Sequence, residues 1–346
     1  MKEMNAVTIS KGCDSSSLPG LVPKRKTKNQ GNDFLRALEE KDALAVWNLL
    51  ESDADPQSPF QTTSKDWFLP LQYAIGCQLN YIAELLVAYS ADLNAVDVKH
   101  QDQWSALHWA TYVKNETGLK LLLDNGADSS VQDPRMRTPL FTAAQYGDIQ
   151  GARILLERGA SIDIPNCHGD YPIHAAARYG CPELVDLFLD HGVETNKKGI
   201  YENTPFHSAA ERGCLRSMRM LIKRGAKWNQ GNHIGTKAFA FAAGGPAEHE
   251  TDQLLAAAFI LGLEDDINQA NRNGTTPLHR AVCAQKAKTV KWLLELGADC
   301  AKSSTCKLAF GDQAGKQMKG TPLQMAQELG HTDIVNLLEN HLGSKE

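Results

Sequence analysis

A repeat of 33 residues is the feature that most restricts how this chain can fold. Five related segments begin at residues 105, 138, 171, 204 and 237, each 33 residues after the one before. Further copies begin at residues 69, 276 and 321. A unit of this length is one supersecondary structure that cannot bury its own apolar face, so neighbouring copies must stack. The period therefore predicts a solenoid in which each repeat packs against its neighbours.

Each repeat is predicted to hold two short helices, as residues 137–166 illustrate. Thr138 can cap the first helix, and Pro139 suits its first turn because the missing N–H has no intrahelical partner there. Gly147 can adopt the positive φ that ends this helix. From Ile149 onward, apolar residues recur at helical spacing until Gly159, and a polar loop follows.

The chain resembles the ankyrin-repeat family from about residue 64 to its end. The resemblance rests on the 33-residue period, on a T-P-L-H box such as "TPLHRAVCAQ", and on second-helix endings such as "LLELGADCAK". It implies an all-α ankyrin-repeat solenoid of about eight helix-turn-helix repeats with projecting loops. It also implies a protein partner, bound on a concave face that the first helices and the loops form.

Three regions are predicted along the chain. Residues 1–31, rich in Ser, Lys and Gly, are expected to be a disordered basic tail. Residues 32–63 are expected to be an N-terminal helical cap that has lost its box, and repeats fill residues 64–346. Two intervals between boxes are 39 and 45 residues long, which predicts insertions near residues 244–252 and 304–319.

Charge and composition argue against several classes of function. The tail carries six basic residues against two acidic ones, a net charge of +4, so the total of −5 leaves −9 for residues 32–346. An acidic body argues against non-specific nucleic-acid binding. No apolar run is long enough to span a membrane, and the N-terminus lacks the apolar segment of a secretory signal. We therefore expect a monomer that has a protein partner, and neither nucleic acid nor membrane as partners.

The cysteines and the tail bear on location. None of the eight cysteines forms a C-x-x-C pair, and Cys181 and Cys214 hold the same place in successive repeats, too far apart for a disulfide. Reduced thiols predict a cytoplasmic protein, a nuclear one, or both. The segment "PKRKTK" resembles a monopartite nuclear import signal, and a solubilising tail is the alternative. Its basic residues are Lys24, Arg25, Lys26 and Lys28.

Neither a catalytic residue nor a cofactor or metal site is predicted. His108, His174, His207 and His279 share the fourth place of the box, where the resemblance implies a hydrogen bond to the backbone of the neighbouring loop. Another repeat replaces this histidine by Phe141. The chain contains no nucleophile elbow, P-loop or H-E-x-x-H motif. We therefore expect that the protein is not an enzyme.

Residues that the repeat does not require are the candidates for partner binding. They lie at the loop tips and at the ends of the first helices: Trp104, Tyr112, Arg135, Arg137, Tyr146, Asp170, Arg178, Tyr179, Tyr201, Glu211 and Arg212. Tyr146, Tyr179 and Arg212 hold one repeat position and are expected to form a stripe, with Arg212 able to pair with an acidic group of the partner. Tyr, Trp and Arg are enriched at interface hot spots. Packing between repeats is the alternative role for the rings.

The predicted function is that of a non-enzymatic adaptor or regulator that binds protein through the ankyrin surface. One alternative is a nuclear regulatory protein that masks a transcription factor, which nuclear exclusion of the intact protein would weaken. Another is a targeting subunit of an enzyme complex, or an enzyme in its own right. Turnover of a substrate or a bound metal would be required for an enzyme.

Overall fold

The computed structural model describes residues 30–63, 65–96, 103–263, 266–307 and 316–344. These residues form eighteen α-helices in nine consecutive pairs. The first helices of the pairs are α1 (Gln30–Glu39), α3 (Pro70–Gly76), α5 (Ala106–Tyr112), α7 (Pro139–Tyr146), α9 (Pro172–Arg178), α11 (Pro205–Arg212), α13 (Ala238–Gly244), α15 (Pro277–Cys283) and α17 (Pro322–Leu329). The second helices are α2 (Ala43–Glu51), α4 (Asn80–Ala88), α6 (Glu116–Asp124), α8 (Ile149–Glu157), α10 (Pro182–Asp190), α12 (Leu215–Lys223), α14 (Glu250–Leu261), α16 (Ala287–Glu295) and α18 (Thr332–Gly343).

The helices lie in two layers. Each first helix packs on the next from α1 to α17, and the second helices form a parallel row from α2 to α18. Small residues let the first helices approach closely, and Ala143, Ala144, Ala176 and Ala209 are all fully buried. A single chain of apolar contacts therefore runs through the stack. The predicted all-α repeat solenoid is confirmed.

Local caps explain why each repeat contains two short helices rather than one long one. At the start of α7, the Thr138 hydroxyl accepts a hydrogen bond from the N–H of Phe141 at 3.2 Å. Gly147 ends the helix with a φ of 67°. Asp148 then begins α8, because its carboxylate accepts the N–H of Gly151 at 2.9 Å. The chain therefore reverses within two residues.

Two of the four box histidines, His108 and His174, link consecutive repeats by hydrogen bonds, whereas among the described residues none accepts a hydrogen bond from Nε2 of His207 or of His279. His108 accepts the N–H of Ser105 at Nδ1 (3.4 Å), and its Nε2 donates to the carbonyl oxygen of Arg137 in the next loop (2.9 Å). His174 repeats this arrangement with Tyr171 and with Asn203. Burial lowers the pKa of His108 to about 4, and it lowers the pKa of His174 in the same direction. These rings are therefore neutral at pH 7 and act as structural links.

Two short antiparallel hairpins accompany the helices. Strands β1 (Phe60–Gln61) and β2 (Trp67–Phe68) pair just before α3. Strands β3 (Ser304–Lys307) and β4 (Gln317–Gly320) pair within the longer of the two long intervals, and residues 308–315 between them are outside the described ranges. In the other long interval a turn of 3-10 helix, Ala247–His249, leads directly into α14. The predicted region boundaries stay predictions, and residues 1–29 of the proposed tail lie outside the described ranges.

Candidate interaction surface

Two tyrosines form an exposed aromatic pair at the ends of α5 and α7. Tyr112 and Tyr146 are 42% and 36% exposed, and their rings meet edge to face with 4.7 Å between centroids. Both rings also lie beside the Trp104 ring, with 5.2 Å between the centroids of Tyr112 and Trp104 and 6.2 Å between those of Tyr146 and Trp104. Edge-to-face packing of this kind contributes about 0.5–1.5 kcal/mol beyond the burial of area. We call Tyr112 and Tyr146 the tyrosine pair.

Trp104 supports the tyrosine pair from below. It is only 3% exposed, and its ring packs at 5.1 Å against Trp109. The indole N–H donates to a carboxylate oxygen of Asp133 at 3.3 Å. Because the ring is covered, the expectation that Trp104 itself contacts a partner is wrong. Its role is to position the two tyrosines.

Arg137 is also buried rather than available. Its guanidinium bonds the Asp133 carboxylate at 2.6 Å, and both side chains are covered. The same guanidinium lies 5.7 Å from the Trp104 ring centroid. A buried charge is stable only when it is paired in this way, since desolvation of an unpaired ion costs several kcal/mol. The prediction that Arg137 contacts a partner is therefore corrected to a structural role.

A cluster of charged residues follows the tyrosine pair along the stack. Arg178, at the end of α9, lies 3.3 Å from the carboxylate of Asp170 and 3.3 Å from that of Glu211. The Asp170 side chain is only 7% exposed, while those of Arg178 and Glu211 are 28% and 18% exposed. Asp170 is therefore corrected from a contact residue to a buried partner of Arg178. The other two present only part of their surface.

Tyr179 and Arg212 lie together, but Arg212 is already engaged. The guanidinium carbon of Arg212 is 5.7 Å from the centroid of the Tyr179 ring, which is 47% exposed. Its Nη1 is 2.6 Å from Nε2 of His249 and 3.4 Å from a carboxylate oxygen of Glu248. Arg212 is therefore engaged within the chain, although 27% of its side chain stays exposed, and its contact with a partner stays a prediction.

The segment between α13 and α14, together with the first turn of α14, covers the end of α11. The side-chain amide of Gln253 donates to the carbonyl oxygen of Glu211 at 2.5 Å. A Cβ on Gly245 would overlap that same oxygen, and a Cβ on Gly213 would overlap the backbone of Asp252. Backbone therefore meets backbone at this contact. We call residues 245–253 the covering segment.

The expected stripe of Tyr146, Tyr179 and Arg212 divides into two groups. Tyr146 packs with Tyr112 over Trp104, whereas Tyr179 lies against Arg212, which the covering segment contacts. Sequence reasoning missed the covering segment's Glu248 and His249, because nothing in the repeat register predicts that an insertion folds back. It placed all three stripe residues at the same repeat position, which is correct, but position alone did not determine their surroundings.

The loop-tip candidates Arg135 and Tyr201 are exposed. The carbonyl oxygen of Arg135 accepts the N–H of Cys167 from the next loop at 2.9 Å. Tyr201 is 60% exposed, and its ring lies 5.1 Å from that of His233. The basic residues Lys24, Arg25, Lys26 and Lys28 of the proposed import signal lie outside the described residues. In the part of the chain that is described, no helix is long and apolar enough to cross a membrane.

Comparisons with known proteins agree with this architecture. The family model "Ankyrin repeats (3 copies)" matches in overlapping segments from residue 34 to residue 304. Human neurogenic locus notch homolog protein 1 is 36% identical over 119 residues, which cover 33% of this chain and 4% of that protein. The potassium channel AKT1 of Oryza sativa subsp. indica is 40% identical over 75 residues, covering 22% of this chain and 7% of the channel. The chain thus spans a small part of the curated relatives it matches.

Proposed function

Because this chain belongs to the ankyrin-repeat family, we propose that it is a non-enzymatic adaptor or regulator that binds a protein partner through the face of its first helices. Ankyrin repeats generally mediate protein–protein interaction and are typically non-enzymatic. The proposal assigns the centre of the binding surface to the tyrosine pair. We also propose that the protein is a monomer.

The exposed tyrosine pair, packed edge to face and against Trp104, is the observation that supports this proposal. Aromatic side chains bury a large area on binding, and Tyr112 and Tyr146 are already held by each other and by Trp104. A partner would therefore pay little conformational entropy to order them. Hot spots at interfaces are commonly aromatic anchors of this kind.

The test is affinity capture from an extract of cells that express the protein, read by mass spectrometry. Baits are the full chain, Tyr112→Ala with Tyr146→Ala, and Tyr81→Ala as the matched control. Tyr81 is 47% exposed but lies on α4, in the layer of second helices. We expect a partner that the intact chain and the control retain and the double variant loses. Equal capture by all three baits would contradict the proposal.

We also propose that the segment "PKRKTK" directs nuclear import, which would place the regulator in the nucleus as well as the cytoplasm. The support is its sequence of four basic residues, Lys24, Arg25, Lys26 and Lys28, in six positions. Changing all four to alanine is expected to shift a fluorescent fusion from nucleus to cytoplasm. An unchanged distribution by microscopy would return the segment to a solubilising role.

A further inference from the structure

Hydrogen bonds join three pairs of neighbouring loop tips along one edge of the stack. The N–H of Cys167 bonds the carbonyl oxygen of Arg135. Further along, the N–H of His233 bonds the carbonyl oxygen of Tyr201 at 2.9 Å, and the N–H of Arg272 bonds that of Ile234 at 2.8 Å. These bonds fix three pairs of neighbouring tips. Between the tips of Gly169 and Ile200 the loops meet by packing, since a Cβ on Gly169 would lie 3.0 Å from the Ile200 side chain. The side chains at the tips therefore form a surface of defined shape rather than five independent loops.

Two of these tips have residues that their backbone conformation disfavours. The residue two places before the box has positive φ in consecutive loops, and it is glycine at Gly169, Gly235 and Gly274. The same place is held by Met136, with a φ of 56°, and by Glu202, with a φ of 59°. Tyr201, just before Glu202, also has a φ of 58°. Each non-glycine residue here costs about 1–2 kcal/mol that glycine would avoid.

These disfavoured tips expose apolar side chains. Met136 is 46% exposed, Ile200 40% and Tyr201 60%. The Tyr201 ring is held against His233, whose Nδ1 lies 2.8 Å from the carbonyl oxygen of Tyr201. Large apolar side chains on a strained and exposed turn contribute little to the fold. These side chains instead provide exposed apolar surface that a partner can contact.

The charge beside these apolar side chains is mainly positive. Arg135, Lys198 and Arg272 lie at tips along the same edge, and all three are exposed. The neighbouring acid Glu202 is paired with Lys198 at 2.5 Å. This contrasts with the net charge of −9 for residues 32–346 as a whole. We call Arg135, Met136, Ile200, Tyr201 and Arg272 the tip patch.

We propose that the tip patch binds an acidic, extended segment of a protein partner, which places apolar side chains against Met136 and Tyr201. The inference rests on the proposed function and adds the chemistry of the partner. Carboxylates would pair with Arg135 and Arg272. Helices of neighbouring repeats lie about 8–10 Å apart. The tips of Met136 and Tyr201 are two repeats apart, so about six residues of an extended peptide span the distance between them. The acidic body disfavours a nucleic acid, whose phosphates would meet repulsion beyond the patch.

The test is a phage-displayed library of random peptides of about twelve residues, long enough to span the patch, selected on the immobilised full chain. Enriched peptides are then synthesised with a fluorescent label and titrated by anisotropy against the intact protein and three double variants. Met136→Gly with Tyr201→Gly removes the apolar tips, and Arg135→Ala with Arg272→Ala removes the charge. Tyr112→Ala with Tyr146→Ala tests the tyrosine pair.

The glycine variants separate recognition from folding. Because positions 136 and 201 have positive φ, glycine fits both, and the thermal midpoint should be unchanged or higher. We expect enriched peptides to be acidic, to contain large apolar residues, and to bind each tip variant at least about tenfold more weakly. Their affinity for the tyrosine-pair variant should change less than about twofold.

Several results would overturn the inference. Neutral or basic peptides, an unchanged affinity in the tip variants, or no enrichment on the intact chain would each do so. A short single-stranded RNA that bound more tightly than the peptides would assign the patch to nucleic acid instead. Loss of binding in the tyrosine-pair variant alone would overturn this inference while supporting the proposed function, so the two can fail separately.

Discussion

The ends of α7 and α11 hold the same position in their repeats but have different surroundings. At α7, Tyr146 is exposed beside Tyr112. At α11, Arg212 is held by Glu248 and His249 of the covering segment. One insertion thus converts a potential recognition position into an internal contact. In a repeat protein, the repeat register determines the position of a side chain on the stack. Insertions that break the register determine whether a partner can reach that side chain.

The same difference appears in the backbone. Gly147 and Gly213 both end their helices in the left-handed conformation, with φ of 67° and 76°. Among the described residues, nothing lies within 4 Å of a Cβ placed on Gly147. At Gly213 the backbone of Asp252 occupies that space. The first glycine is required for its φ alone, whereas the second is required for its φ and for the close approach of another chain segment.

Acid should act on both regions alike, and this is the largest effect we expect. Burial lowers the pKa of His108, His207 and His279 to about 4, below the unfolded value near 6.5. The unfolded chain therefore takes up protons first. Stability is fully present above about pH 6.5 and is lost as the pH falls towards 4, by roughly 2 kcal/mol for each ring at pH 5.

Urea unfolding at pH 7 and pH 5 would measure the loss, and hydrogen exchange would locate it. His108 lies in α5, which ends in Tyr112, and His207 lies in α11, which ends in Arg212. Protection should therefore fall in both. A stability that stayed level between pH 7 and pH 5 would contradict the neutral, buried state of these rings.

Alanine at the two helix-ending glycines should separate the regions. Gly147→Ala is expected to cost about 1 kcal/mol, since only the positive φ is disfavoured. Gly213→Ala should cost about 3 kcal/mol or more, because its Cβ would also displace the backbone at Asp252. Chemical denaturation of both variants gives the comparison. Equal losses of unfolding free energy in the two variants would show that the covering segment can shift at little cost to admit the Cβ.

Tyrosine substitutions should give unequal losses of partner binding. Replacing Tyr112 and Tyr146 together by alanine should weaken binding by at least about 2 kcal/mol, the usual hot-spot threshold. Tyr179→Ala should cost less than about 1 kcal/mol, since this ring lies against Arg212 beside the covering segment. Calorimetric titration with the captured partner would measure both. A larger loss for Tyr179→Ala would move the centre of the surface to α9 and α11.

The smallest effect should come from the ion pair of Arg212. The Glu248 side chain is 68% exposed, so Glu248→Ala should change the free energy of unfolding by less than about 0.5 kcal/mol. The backbone contacts of the covering segment remain in this variant, which makes it a control for Gly213→Ala. A loss as large as that of Gly213→Ala would mean that the side chains, and not the glycine contacts, hold the segment in place.

The sequence predicted the fold well because the period, the Thr-Pro caps and the terminal glycines are local signals that recur. The site was harder. Tyr112 and Tyr146 were identified as exposed candidates, but Trp104 receives contacts from α5, α7 and the loop of Asp133 at once. No local pattern encodes that convergence. The surroundings of Arg212 depend in the same way on the path of an insertion.

The close contacts at Gly213 and Gly245 also have a consequence for how this protein can evolve. The two glycines belong to different repeats, yet a side chain on either would overlap backbone of the other's repeat. Neither glycine can be replaced by a larger residue while the covering segment keeps its contact with α11. Glu248, by contrast, is largely exposed and free to vary. Exposed side chains of the covering segment can therefore be substituted one at a time during evolution. The glycine contacts that attach the segment to α11 can only be kept together or lost together.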